Sequence, residues 1–240
     1  MYLTAGYIAA MSFRTLAASG ALLIALAVPA AAEAATIDPL EKPCYVTAGK
    51  QANYEGEAIA IRATGFAPNS LVDLSVDGVV VEPDIQTDAN GELGKLTPML
   101  FKTPFIKKGS AKFTLTLTQQ GDPANTASVT GRHTALGVSV KPQRARPSAK
   151  IRFKGAGFTL DKPVYAHYVF NGSVRKTVKM SGGQNACGEW RKRARQIPVN
   201  DPSTGIWTVQ FDQLKKYREP TRDFPSVFVQ LRIQVTRVFG

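Results

Sequence analysis

Two stretches of the chain, about 92 positions apart, follow one plan. Ile61-Arg62-Ala63-Thr64-Gly65-Phe66 leads to a turn signal at Asp77-Gly78. Ile151-Arg152-Phe153-Lys154-Gly155-Ala156-Gly157-Phe158 leads to another at Asn171-Gly172. Each is a short alternating run, then Gly-Phe, then a second apolar run, then a hairpin signal. An internal period near 100 residues predicts two copies of one module and argues against a single large catalytic fold.

The first 35 residues are set apart from that repeat. Arg14 precedes an apolar stretch from Leu16 to Val28, which ends in Pro29-Ala30-Ala31-Ala32-Glu33-Ala34-Ala35. A basic flank, an apolar core of about 7–15 residues and a small-residue exit predict a secretory signal peptide cleaved after Ala32 or Ala34. The core is shorter than the roughly 20 residues that span a bilayer, so no integral membrane span is expected after cleavage. The mature product is expected in the periplasm, at the cell surface or outside the cell.

About 205 residues remain beyond residue 35, enough for two domains that each bury a core. Residues 36–138 carry 9 Lys+Arg against 11 Asp+Glu, a net charge of −2. Residues 139–240 carry 20 against 6, a net charge of +14. The basic part is expected to concentrate near polyanions, in a salt-sensitive way.

Period-two alternation predicts strands throughout. Ile59, Ile61 and Ala63 share a face; so do Val72, Leu74 and Val76, and Phe113, Leu115 and Leu117. Asp77-Gly78 and Asp88-Ala89-Asn90-Gly91 are turn signals. Val138-Ser139-Val140 either closes the first module or opens the second, and Pro142 and Pro147 punctuate the join. In the second module Ile151 and Phe153 point inward while Arg152 and Lys154 point out. Val164 to Phe170 reads as a central strand, and Trp207, Val209 and Phe211 line one face of another. The long alternation from Val227 to Val235 predicts the last strand. No segment of the first module predicts a helix, and the spacing of strands and turns predicts a sandwich for each module.

The phrase Ala63-Thr64-Gly65-Phe66-Ala67-Pro68-Asn69-Ser70-Leu71-Val72, followed by Thr87-Asp88-Ala89-Asn90-Gly91, resembles the Ig-like modules of exported bacterial proteins. The second copy keeps Gly157-Phe158 but has Thr159-Leu160-Asp161 in place of the Pro turn, and the sequence shows no Asp-x-Asn-Gly turn there. The resemblance covers about 30 residues of the first module and 20 of the second. It implies an all-β protein of two tandem Ig-like β-sandwich domains, residues 36–138 and 139–240, after a signal peptide at 1–35. It carries no catalytic residue, since such modules serve as spacers, adhesive units or binding platforms.

Cys44 and Cys187 are the only cysteines. In an exported chain they permit one disulfide, which would join the two modules; the other outcome is two separate thiols. Cys187, with His167 upstream and Arg191 downstream, offers a remote reading as a nucleophile, base and oxyanion stabiliser. It lacks the histidine-glycine-cysteine signature of exported cysteine transpeptidases. Asp84, Asp88, Asn90 and Gly91 resemble part of a calcium loop, but Gln86 and Thr97 stand where further oxygen ligands belong, so a turn accounts for them and no metal or cofactor is expected.

Trp190-Arg191-Lys192-Arg193-Ala194-Arg195 is the most distinctive charged segment. Extended, it projects Arg191, Arg193 and Arg195 from one face, where they could grip phosphates or carboxylates. Lys176, Lys179 and the Lys215-Lys216-Tyr217-Arg218 run are candidates to extend the patch. The competing reading is a charged edge strand that discourages edge-to-edge pairing. No nucleic-acid recognition motif is present. The expected role is non-enzymatic binding or adhesion, the second domain held to an anionic envelope polymer; the alternative is a spacer or protein-interaction module of an envelope complex.

Overall fold

The computed structural model describes residues 34–181, 185–219 and 226–233. The signal segment up to residue 33, residues 182–184 and the end of the last alternation beyond Ile233 lie outside them. Strands are the regular structure found, with one 3-10 turn at Gln51–Asn53, and no helix among the described residues is long and apolar enough to cross a membrane.

The first half contains β1 (Thr36–Ile37), β2 (Tyr45–Ala48), β3 (Glu55–Gly56), β4 (Ala58–Ile61), β5 (Ala63–Thr64), β6 (Leu71–Val76), β7 (Val79–Gln86), β8 (Met99–Lys102), β9 (Ser110–Gln119) and β10 (Asp122–Ala135). The second contains β11 (Gly137–Lys141), β12 (Lys150–Ala156), β13 (Tyr165–Phe170), β14 (Ser173–Lys179), β15 (Trp190–Arg195), β16 (Gly205–Asp212) and β17 (Val227–Ile233). β11 pairs with β12, so Val138-Ser139-Val140 runs beside the strand that carries Ile151 and Phe153.

Both halves are wound the same way. One layer runs β10-β9-β6-β7 in the first half and β17-β16-β13-β14 in the second. The first half extends its layer with β2, parallel to β10, and β3. Its other layer is β1 on β5 and β4 on β8; only Arg62 separates β4 from β5. The second half has β11-β12-β15 there. The hairpins β6–β7 and β13–β14 turn on Asp77-Gly78 and Asn171-Gly172, all four at positive φ, the conformation of a two-residue turn that matches strand twist.

Register makes the correspondence residue by residue. Ile37 faces Ala63 as Val138 faces Gly155, and Ala63 bridges to Leu93 as Gly155 pairs with Trp190. The larger Trp190 is matched by the missing side chain of Gly155, where a Cβ would lie 2.3 Å from the indole. Each half buries its own hydrophobic cluster, Ile59, Leu74, Phe113 and Leu117 in one and Phe153, Tyr168, Trp207 and Phe211 in the other. The described residues nevertheless belong to one compact unit. The alternation decides which side chains enter these cores, because successive strand residues face opposite sides of a sheet.

The second half makes the same turn with different residues. Asp88 Oδ1 accepts from Asn90 N at 2.8 Å and Glu92 N at 2.9 Å. Asn185 Oδ1 accepts from Cys187 N at 3.0 Å and Glu189 N at 3.1 Å. Asp88-Ala89-Asn90-Gly91-Glu92 and Asn185-Ala186-Cys187-Gly188-Glu189 are therefore one turn, with Asn in the place of Asp and Cys187 in the place of Asn90.

Candidate functional site

The three arginines of β15 share one exposed face, while Trp190 packs into the core. Cross-strand register sets Lys150 opposite Arg195, Arg152 opposite Arg193 and Lys154 opposite Arg191. On the other side of β12, Lys141 stands opposite Arg152 and Ser139 opposite Lys154. The outer face of this three-stranded layer thus presents Lys141, Lys150, Arg152, Lys154, Arg191, Arg193 and Arg195, all exposed. Among the described residues none of the seven forms a salt bridge.

Directly opposed side chains in an antiparallel pair lie about 5 Å apart at Cβ, and like charges there are destabilising. This face stacks three such pairs along β12 and β15, and Lys141 opposite Arg152 adds a fourth across β11 and β12. Edge protection accounts for cations on β15, an edge strand, but not for Lys150, Arg152 and Lys154 on the central strand. The first half supplies an internal comparison. Its corresponding residues are Ala58, Ala60 and Arg62 on and beside β4 and Leu100 and Lys102 on β8. Ala60 stands opposite Leu100 where the second half has Arg152 opposite Arg193, and Arg62 is paired with Glu41. The fold itself does not require the charge.

Lys176 and Lys179 do not join this face. They lie on β14, the edge of the other layer, and their spacing of three points them to opposite sides of that strand. The sequence could not assign them, because it does not say which layer a strand enters. The Lys179 carbonyl does accept from Lys192 Nζ, tying the adjacent edges together. The residues that do join Arg191, Arg193 and Arg195 were visible as outward positions of β12, but their pairing with β15 was not.

Two grooves flank Leu136, where one half passes into the other. One, of about 600 Å³, is lined by Lys107, Lys108, Leu136, Val138, Lys154, Trp190 and Arg191 among others, so it opens onto the basic face. The second, of about 630 Å³, runs past Cys44, Glu57, Phe158 and Cys187. The halves are held together there. Cys44 and Cys187 form a disulfide across a sequence separation of 143. Leu136 N, at the connection, donates to Thr47 O at 2.7 Å. Ser110 Oγ donates to Glu189 Oε1, while Asn185 Nδ2 donates to Glu189 Oε2 at 2.8 Å. Those two hydrogen bonds, helped by Arg132 and Arg191, hold the Glu189 carboxyl below its ordinary pKa.

The nucleophile reading of Cys187 is overturned: its sulfur is bonded to Cys44, so there is no thiol to ionise. His167 is occupied elsewhere, buried on the outer side of the four-stranded layer beneath residues 213–219. Its Nε2 faces two acceptors, Asp212 Oδ1 at 3.2 Å and Leu214 O at 3.1 Å, and so carries a proton; Nδ1 pairs with the Thr177 hydroxyl at 2.9 Å. Gln210 Nε2 donates to Asp212 Oδ2 and to Arg218 O, both at 2.8 Å. The order hydroxyl, imidazole, carboxylate has the outward form of a catalytic relay. Here, though, the ring is fully buried and its Nε2–H is committed to Asp212 and to Leu214 O, which pins the loop that carries Lys215, Lys216 and Arg218. At Asp88, the Glu92 and Asn90 amides are the main cause lowering the carboxyl pKa, and the turn accounts for the residue.

No protein-family model matches the chain. No curated protein matches it either. Among solved structures, it is similar to a tetra-tandem repeat from the extending region of a large adhesion protein, at 16% identity and a TM-score of 0.27, over 82% of this chain and 49% of that one. It is similar to the fibronectin(III)-like modules of Clostridium thermocellum CbhA, at 10% identity and 0.26, over 86% of this chain and 100% of that one. It is also similar to Bacteroides ovatus SGBP-B of a mixed-linkage glucan utilization locus, in complex with a heptasaccharide, at 12% and 0.24, over 79% and 42%. The chain spans about half the length of the adhesion-protein repeat. At these TM-scores the likenesses carry no assignment.

Proposed function

We propose that the chain is an exported, non-enzymatic binding protein of the cell envelope, built as two tandem Ig-like sandwiches, whose second half holds an anionic polymer on the outer face of β11, β12 and β15. One observation carries this reading: three like-charge pairs, Lys150/Arg195, Arg152/Arg193 and Lys154/Arg191, the first two standing where the first half has Ala58 opposite Lys102 and Ala60 opposite Leu100. A self-repelling face that the fold does not need makes sense as a surface completed by an anionic partner. Guanidinium groups suit it because they grip carboxylates and phosphates through two parallel hydrogen bonds.

The test is co-sedimentation of residues 34–240 with isolated bacterial envelope material at low and high salt. Salt-sensitive retention is expected, lost when Arg191, Arg193 and Arg195 are replaced together by Ser. Equal retention of that triple variant would overturn the proposal and leave the spacer or protein-interaction role as the better account.

A further inference from the structure

We infer that the ligand is an extended acidic polysaccharide that runs along the β12–β15 ladder and crosses the junction groove onto Lys107 and Lys108 of the first half. This rests on the anion-binding reading above and adds the ligand's class and its path. The three cationic pairs follow one another at two-residue steps, so they form a line about 13 Å long from Lys150/Arg195 to Lys154/Arg191. A small anion is satisfied by one pair. A line of pairs matches charge repeated along a chain.

The line does not end at the edge of the sheet. Lys154 and Arg191 belong both to the face and to the wall of the groove of about 600 Å³, and Lys107 and Lys108, exposed on the loop before β9, stand on its first-half side. Between the cations lie Leu136, Val138, Ala156 and Trp190. Among the described residues Glu189 is the one acid lining the groove, and its oxygens are already taken by Ser110 and Asn185. The volume falls in the range of ligand sites, which favour junctions between domains and combine an apolar floor with a few polar groups. Sugar rings bearing carboxylates have the complementary makeup, with C–H faces for the floor and pendant charges for the walls. A bare phosphate chain would leave that floor without a partner.

The walls come from different halves but are fixed in advance. The disulfide and the Ser110–Glu189 contact cross the junction, and Leu136 N on Thr47 O fixes the connecting residue against the first half. Fixed spacing lets the second contact form at high effective concentration once the first has formed.

The test measures binding of oligogalacturonates of increasing length, from the dimer upward, to residues 34–240 by titration calorimetry. Affinity is expected to rise with length and level off once the oligomer reaches across the groove. Replacing Lys107 and Lys108 by Ser is expected to weaken the long oligomers about tenfold while leaving the dimer unchanged. The Arg191, Arg193, Arg195 triple variant is expected to weaken all lengths. If the lysine variant changes nothing while the arginine variant still weakens binding, the crossing is overturned and the anion-binding face stands. Linear polyphosphate binding as tightly as a uronate of equal charge would overturn the sugar assignment. An arginine variant without effect on any length would overturn both readings.

Discussion

Gly91 and Gly188 occupy the same place in the two halves, each pressed against the carbonyl of the phenylalanine in the repeat's Gly-Phe step. A Cβ at Gly91 would lie 1.9 Å from Phe66 O, and one at Gly188 2.0 Å from Phe158 O, with φ at +74° and +64°. Both contacts are with backbone, so neither can be relieved by a side-chain rotation. The turn, the Gly-Phe step and, in the second half, the disulfide cysteine are thereby fitted to one another.

Gly188→Ala is therefore expected to destabilise the protein by more than the roughly 1–3 kcal/mol of a strained left-handed residue alone. Urea denaturation of the wild type and the variant checks this; a midpoint unchanged by the substitution would show that the turn can open at no cost.

The Cys44–Cys187 disulfide closes a loop of 143 residues between the two halves. Replacing both cysteines by Ser is expected to cost about 2–5 kcal/mol, chiefly through the freedom returned to the unfolded chain. The loss should appear equally when the wild type is unfolded in reductant, and reductant should not affect the double variant.

The cationic ladder is expected to act against stability. Arg193→Thr removes a charge set opposite Arg152 and should stabilise the fold by about 0.2–1 kcal/mol at low salt, less at high salt. The same change should weaken uronate binding. Opposite signs in thermal unfolding and calorimetry would separate a binding role from a structural one.

Asp212 accepts from His167, Gln210 and Leu214 N in a fully enclosed network. Asp212→Ala leaves those donors without their acceptor and is expected to cost about 3 kcal/mol. It should also release residues 213–219, so limited trypsin digestion should cut sooner at Lys215, Lys216 and Arg218 than in the wild type.

Glu189 links the halves through Ser110, and its folded pKa lies below the ordinary 4.5. A depressed carboxyl pKa contributes stability that is present above the unfolded value and lost as pH falls through the folded one. Glu189→Gln is expected to leave the midpoint of unfolding less sensitive to acidification below about pH 4.5. Parallel pH profiles of wild type and variant would remove Glu189 from the acid response.

The sequence by itself determined the repeat, the strands of both cores and the outward direction of Arg191, Arg193 and Arg195, because period-two alternation and turn chemistry are local. It also contained the Asn185-Ala186-Cys187-Gly188-Glu189 turn, hidden by two substitutions that keep the hydrogen bonds while changing the letters. Only the tertiary structure decided that Lys150, Arg152 and Lys154 face those arginines, that Lys176 and Lys179 belong to the other layer, and that Cys187 meets Cys44 rather than His167. The physical reason is that strand pairing and layer membership are set by contacts between residues far apart in the chain. Alternation says which side of a strand a residue takes, and the assembled sheets say what lies beside it.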